Sequence, residues 1–335
     1  MAHKFAREQP QGVKNHIEKV AIVGAGGNVG KLITEELLKA GKHQITALTR
    51  QDSTNTIPAG VEIKRIDYAD QASLIEALQG QDALIITMGA RAPPEQQTKL
   101  IEAAAAANVA WVLPNEWGYD ITDPGLCKDI PIGEKHAQYR AHIEKLGKSS
   151  WIGVTCGFWY EFSLSHGPSA FGFDLNDRTV TFFDDGNTHV NTSTWIQCGR
   201  GVANLLALKA LPDDKNDQSP CLAHYRNNFI YVSSFNVSQR DMLDSVMRVT
   251  GTELDDWKIE HEPSTSRYKD AVEAMQKGDL TGYVKLMYTR VFYQDGSGEF
   301  EVTRGLQNGV LGLPKENLDE CTKIAVEMAK NPRNY

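Results

Sequence analysis

An α/β fold is predicted: a Rossmann-like parallel sheet with helices on both faces, and a smaller, partly interleaved substrate domain. Three observations predict it. Residues 19–50 run from an apolar strand into a glycine cluster, a helical pattern and a second strand that closes on arginine. The rest of the first half keeps alternating strand and helix, the pattern of a parallel sheet covered by helices. After residue 156 that period stops, and short strands, turns and aromatic residues replace it.

The first strand is predicted at 19–24 and leads into GAGGNVG at 24–30. Gly24 is expected to allow the tight turn, Gly27 to let a pyrophosphate approach the backbone, and Gly30 to let the next helix (28–40) pack on the sheet. Gly26 makes a local G-x-G with Gly24, although the wider spacing is G-x-x-G-x-x-G. The N–H groups of the helix start, at Asn28 and Val29, and its dipole would hold phosphate charge. The second strand (44–49) ends at Thr49 and Arg50. A site for NAD usually carries an acid here to meet the ribose hydroxyls, but the nearest acid is Asp52. Arginine instead offers a fork of donors to a 2′-phosphate. NADP (NADPH) is therefore the expected cofactor, with Thr49 as a further donor and Lys31 as a weaker source of positive charge. The plain alternatives are a glycine turn that binds nothing and an arginine that is a solvated strand end.

Further strands are predicted at 61–66, 82–87, 109–113 and 150–155, and helices at 71–79, 94–107 and 134–146. Right-handed crossovers put the loop mouths along one sheet edge. Thr87, Met88 and Gly89 leave the fourth strand there and are expected to line the cofactor channel, as are Pro114 and Asn115 after the fifth. Gln96 and Gln97 are weaker candidates for the same mouth. Trp117 lies beside flexible Gly118 and is assigned to the substrate pocket. Lys135 sits at a helix start, where positive potential and desolvation would lower its pKa and let it move a proton. It is also counted among the cofactor contacts. His136 is the alternative acid–base group. The Tyr-x-x-x-Lys pair of short-chain reductases is missing, since Tyr139 is followed four residues on by Ile143. Phe158, Trp159 and Tyr160, with Phe162, form either the apolar wall of the pocket or interdomain core. Asn236 and Gln239 in NVSQ read as the cap of a later helix.

These readings divide the chain into a polar extension (1–17), an NADP-binding domain (18–156) and a mainly substrate domain (157–330) with elements returning to the first. With 335 residues and a net charge of −8, the chain has no large basic tract, so an extended nucleic-acid surface is not expected. Five dispersed cysteines show no zinc spacing, and no metal site is expected. Sparse free thiols, a polar N-terminus without an apolar signal core and the lack of a membrane-length apolar run point to the cytoplasm.

The motifs GAGGNVG (24–30), LTR (48–50) and LPNEWG (113–118), the helix start at Lys135 and TSTWIQCGRGVANLL (192–206) carry a resemblance. The chain resembles the NmrA-like branch of atypical short-chain dehydrogenase/reductases, and within it the isoflavone reductase-like group. That resemblance implies a Rossmann domain holding NADP, and a lysine after the PSEFG-like loop acting as general acid or base. The role carries onto Lys135, while alignment through YRAHIE puts His136 nearest the usual lysine position, and PNEW stands where the group has PSEF. The expected function is NADPH-dependent reduction of a small aromatic or conjugated compound, by hydride transfer with lysine-assisted proton transfer. The alternative is a non-catalytic NADP-sensing regulator that acts through a protein partner, as other NmrA-like proteins do.

Overall fold

Strands that read as unbroken apolar runs become the buried centre of one sheet. The computed structural model describes residues 4–89 and 92–331, the side chain of Leu280 excepted. Its first part comprises β1 (Lys19–Val23), α1 (Asn28–Ala40), β2 (Gln44–Arg50), β3 (Glu62–Ile66), α2 (Gln71–Leu78), β4 (Ala83–Ile86), α3 (Pro94–Ala106), β5 (Trp111–Leu113), β6 (Trp117–Gly118), α4 (Pro124–Asp129), α5 (Gly133–Leu146) and β7 (Ser150–Thr155). Every residue of β4 and β7 is buried, as expected for parallel strands covered on both faces. Helix α1 stops at Gly41, which takes the left-handed conformation at φ +65° and donates its N–H to Leu38 O at 3.0 Å, a glycine stop.

The second part comprises β8 (Phe158–Trp159), α6 (Tyr160–Ser165), β9 (Phe173–Asp174), β10 (Thr179–Phe183), β11 (Val190–Ser193), α7 (Trp195–Leu206), β12 (Asn228–Tyr231), β13 (Phe235–Val237), α8 (Gln239–Thr250), β14 (Lys258–Glu262), α9 (Ser264–Gln276), α10 (Leu280–Val291), α11 (Phe300–Arg304) and α12 (Leu318–Lys330). The main sheet has the order β12-β7-β5-β4-β1-β2-β3, with β6 added at β7, and all its pairs are parallel. The order reverses between β1 and β4, which opens the ligand crevice of doubly wound sheets at their carboxyl ends. Two three-stranded sheets, β14-β10-β9 and β13-β11-β8, build the remainder.

The two parts share their interior. On one face a single apolar cluster runs from Leu48 and Leu100 to Phe171, Phe183 and Phe292. Phe158 stacks on Tyr288 with ring centres 4.0 Å apart. On the other face α7 lies against α1. Charge pairs with one buried partner each add fixed joints: Arg304 Nε donates to buried Asp120 at 2.9 Å, and buried Arg290 donates through Nε to Asp129 at 2.6 Å. The expected Asn236 cap is corrected. β13 extends through Val237, so Ser238 caps α8, with Asp241 completing the capping box. Asn236 instead donates to Glu299 and Glu301, each at 2.7 Å.

The α1–α7 contact depends on a missing side chain. A Cβ at Gly199 would lie 2.6 Å from Leu32 O, whereas one at Gly201 would meet nothing closer than Val232 at 3.6 Å. Gly199→Ala is expected to destabilise the protein by about 1–3 kcal/mol through overpacking. Gly201→Ala, within the same helix, should be neutral or stabilising by up to about 1 kcal/mol. Urea unfolding of both variants checks the pair; equal effects would contradict the assigned contact.

Candidate functional site

The glycine turn is shaped first by the protein's own packing. Gly24 has φ +83°, and a Cβ on it would fall 1.9 Å from Thr87 O. A Cβ on Gly30 would fall 2.1 Å from Gly24 O and 2.4 Å from Thr87 Oγ1. Thr87 Oγ1 donates to Val23 O at 2.7 Å. The tips of β1 and β4 and the first turn of α1 are thus in close contact. The first helical bond of α1 is donated by Lys31 to Gly27 O at 2.8 Å, so the N–H groups of Asn28, Val29 and Gly30 precede it. Gly27 caps the helix without a side chain, and no acid occupies the first turn. The geometry is that of a cradle suited to an anion, at the start of a 13-residue helix.

The far end of the cradle is the tip of β2. Arg50 is exposed, with Nε 3.4 Å from Asp52 Oδ1. Thr49 is half-buried beside it. Lys31 pairs with Glu35 at 3.8 Å. Sequence reasoning missed Arg65, which donates through Nη1 to Arg50 O at 2.8 Å and to Ser53 O at 3.3 Å.

Across the crevice, two loop tips are fastened together. Asn115 accepts from Met88 N at 3.0 Å and donates to Met88 O at 3.1 Å. Trp117 donates its indole N–H to Ile86 O at 2.8 Å. Pro114 is buried between them, and a Cβ at Gly89 would meet open space. Asn115 and Trp117 therefore hold the β4 and β5 tips in register.

Lys135 is exposed on the first turn of α5, whereas His136 is half-buried with no partner for Nδ1 among the described residues. Burial, aided by the Arg140 guanidinium, pushes the His136 pKa down to about 4. The imidazole is neutral at neutral pH. One turn on, Arg140 Nη1 donates to Glu116 Oε2 at 2.7 Å, and its guanidinium lies 5.4 Å from the Trp151 ring and 5.1 Å from that of Phe229. Glu116 is buried and its Oε1 has no described partner. Burial raises its carboxyl to about 7, with Arg140 pulling the other way. The Gln97 Nε2 and Tyr119 hydroxyl are also buried without a described partner. Gln97, Glu116, Tyr119 and His136 all sit on segments that follow β4 and β5, on the crevice side of the sheet. Sequence reasoning assigned no role to Glu116; its place between Asn115 and Trp117 at a strand tip was the available signal.

Of the predicted wall, Phe158 and Trp159 are half-buried, and Trp159 stands 5.9 Å from Trp195 and 6.1 Å from Phe162. Tyr160 is wholly buried, and its hydroxyl meets Thr322 Oγ1 at 2.6 Å, which makes it interdomain core. A cavity lined by Tyr119, Gly157, Phe158, Asn191 and Phe300 encloses about 10 Å³, room for one water. Among the described residues no cluster of three metal-ligating side chains occurs, no helix is long and apolar enough to cross a membrane, and the five cysteines are unpaired.

Fold and site together define a doubly wound α/β protein with a nucleotide-type glycine turn at its switch point. Residues 16–169, which carry β1 to β7, match the model of the NmrA-like family. The chain is 28% identical over 308 residues to the oxidoreductase aprR of Aspergillus flavus, covering 90% of this chain and 96% of that protein. It is 34% identical over 114 residues to isoflavone reductase homolog P3 of Arabidopsis thaliana, covering 31% and 36%. A solved isoflavone reductase superposes with a TM-score of 0.69 at 19% identity, over 92% of this chain and 98% of that one. An NADPH-dependent quinone oxidoreductase of Escherichia coli superposes with a TM-score of 0.63 at 16% identity, over 90% and 98%.

The two buried titratable groups give opposite pH slopes. The His136 pKa falls from 6.5 to about 4 on folding, so its stability contribution is present above 6.5 and lost as pH drops towards 4. The Glu116 pKa rises from 4.5 to about 7, so its contribution is present below 4.5 and lost as pH climbs towards 7. The slopes oppose each other between 4.5 and 6.5. His136→Gln should remove one slope, so that stability relative to wild type improves as the pH is lowered through that window. Urea midpoints across the window check this; a constant difference would mean that the imidazole titrates normally.

Proposed function

We propose that the chain is an NADPH-dependent reductase of a small aromatic or conjugated compound. The observation that carries this reading is the glycine-capped helix start at 27–30, with no side-chain cap and no acid in its first turn, together with an exposed arginine at the next strand tip. The residues fit the cofactor. The Asn28–Gly30 N–H groups suit a pyrophosphate, Arg50 with Thr49 suits a 2′-phosphate, and the fastened Met88–Asn115 tips border the nicotinamide end. The oxidoreductase aprR of Aspergillus flavus, matched over nearly its whole length, supports the redox class. The NADPH complex of the E. coli quinone oxidoreductase supports the choice of nucleotide.

The cofactor, when bound, supplies hydride. The chain's own residues bind, orient and move the proton. Lys135, exposed at the start of α5, donates the proton to the substrate oxygen. His136, neutral and less exposed, is the second group able to handle it. Phe158 and Trp159 supply the aromatic wall for a flat substrate. The non-catalytic alternative keeps the same nucleotide site and draws support from the solvent exposure of Lys135, which leaves that amine poorly desolvated.

Screening NADPH oxidation against quinones, aromatic enones, imines and benzylic ethers should find turnover. Lys135→Ala should abolish most of it with NADPH binding retained, and His136→Ala should cost less. No turnover across the panel, together with a redox-dependent protein partner, would select the regulator. Arg50→Ala should weaken NADPH binding by about tenfold or more, the scale of one charge-assisted contact, and leave NADH nearly unchanged. Equal losses by calorimetry would remove the 2′-phosphate assignment.

A further inference from the structure

The segment after β2 spans both ends of the phosphate cradle. At its start, Arg50 O accepts from Ser53 N at 3.2 Å and from Arg65 Nη1 at 2.8 Å, and Arg65 also reaches Ser53 O. Strand register makes this reach available, because Arg65 of β3 stands opposite Thr49 of β2. At its other end the segment rests on the glycine turn. A Cβ at Gly26 would lie 2.8 Å from Thr56 O and 2.9 Å from Asn55 Cβ, and Ile57 packs into the apolar cluster under α1. One stretch of chain thus runs from the guanidinium of Arg50 to the turn at 24–30, fixed by Arg65 at one end and by the absence of a side chain at Gly26 at the other.

The charge at this tip is unbalanced. Among the described residues, Asp52 is the carboxylate paired with Arg50, at 3.4 Å with both side chains well exposed, and Arg65 is in no ion pair. An exposed pair of that kind is worth little and is readily exchanged for a better anion. A chain of net charge −8 therefore places two arginines on neighbouring strands where the second strand ends, one of them bonded to the carbonyl of the other.

We infer that Arg65 is the second determinant of nucleotide choice: a positioning residue that holds the Arg50–Ser53 turn and adds positive charge, so that a nucleotide with a phosphate monoester on its adenosine ribose is preferred. The inference rests on the nucleotide reading above. It assigns Asp52 the opposite role, as the internal anion that a bound phosphate displaces. One nitrogen, Nη1, donates to both carbonyl oxygens, and the planar guanidinium fixes the directions of its N–H bonds, which a lysine ammonium on a flexible stem does not.

Calorimetric titration of the full chain with NADPH and with NADH tests this directly. Arg65→Ala should weaken NADPH about tenfold, the scale of one contact to a charged group, with NADH changed less than about twofold. Arg65→Lys should recover part of the preference, because charge returns without the fixed N–H directions of the guanidinium. Asp52→Asn should tighten NADPH several-fold and leave NADH alone. If Arg65→Ala weakens both nucleotides equally, or neither, the inference fails while the nucleotide reading stands. If Arg65→Ala does not fold, Arg65→Lys decides, and a fully retained preference overturns the inference. Wild-type protein that binds neither nucleotide overturns the reading and the inference together.

Discussion

The approach of α1 to the tips of β1 and β4 fixes the geometry above the sheet. Gly24, Gly30 and Thr87 meet so closely that one added methyl on either glycine would collide with backbone oxygen. This contact sets where the first free N–H groups of α1 stand. It also sets how far the Thr87–Gly89 segment rises before Asn115 catches it at Met88. The contact joins three elements through atoms without rotamers, so little can adjust. A dense interior transmits such a constraint instead of absorbing it.

The first half was legible because its signals are local. Apolar runs of five or six residues, glycine at the turns and a helical period between them define β1, α1 and β2 without reference to the rest of the chain. The candidate site residues on this half were assigned by counting from strand ends. What was missed depends on partners distant in sequence. FIYV reads as a strand, but its place at the sheet edge comes from pairing Asn228–Tyr231 with Ile152–Thr155, and a parallel ladder leaves no turn in the sequence to announce it. The role of Arg65 follows from cross-strand register, and that of Glu116 from an arginine 24 residues away. The misplaced cap has a simpler cause. Asn236 and Ser238 are both good capping residues, and β-pairing of Asn236 with Asn191 decides between them.

Tyr160 shows why the second half resists the same treatment. CGFWYEF offers four aromatic side chains in a row of five positions, and the pattern alone does not say which face water. Phe158 and Trp159 pair with Thr192 and Ser193 in a short strand, and the chain turns helical at Tyr160. That change from a two-residue to a 3.6-residue period sends Tyr160 inward to Thr322 on α12 and leaves its neighbours half-buried. The C-terminal helix thus reaches a residue assigned to the pocket wall, and the interior of the second part is continuous with one face of the sheet.

Proton handling in the proposed reduction turns on solvation. Lys135 is exposed on the first turn of α5, so its surroundings do little to desolvate the amine. His136 has the opposite profile, since burial keeps it neutral and removes the proton that a donor needs. An oxyanion developing on a substrate next to it would reverse that balance, because a nearby negative charge favours the imidazolium. The buried Glu116 carboxyl, held at about 7, lies one helical turn beyond on the Arg140 side and can exist in either protonation state near neutrality. The loop at 113–118 therefore places a titratable acid beside the helix that carries both candidates.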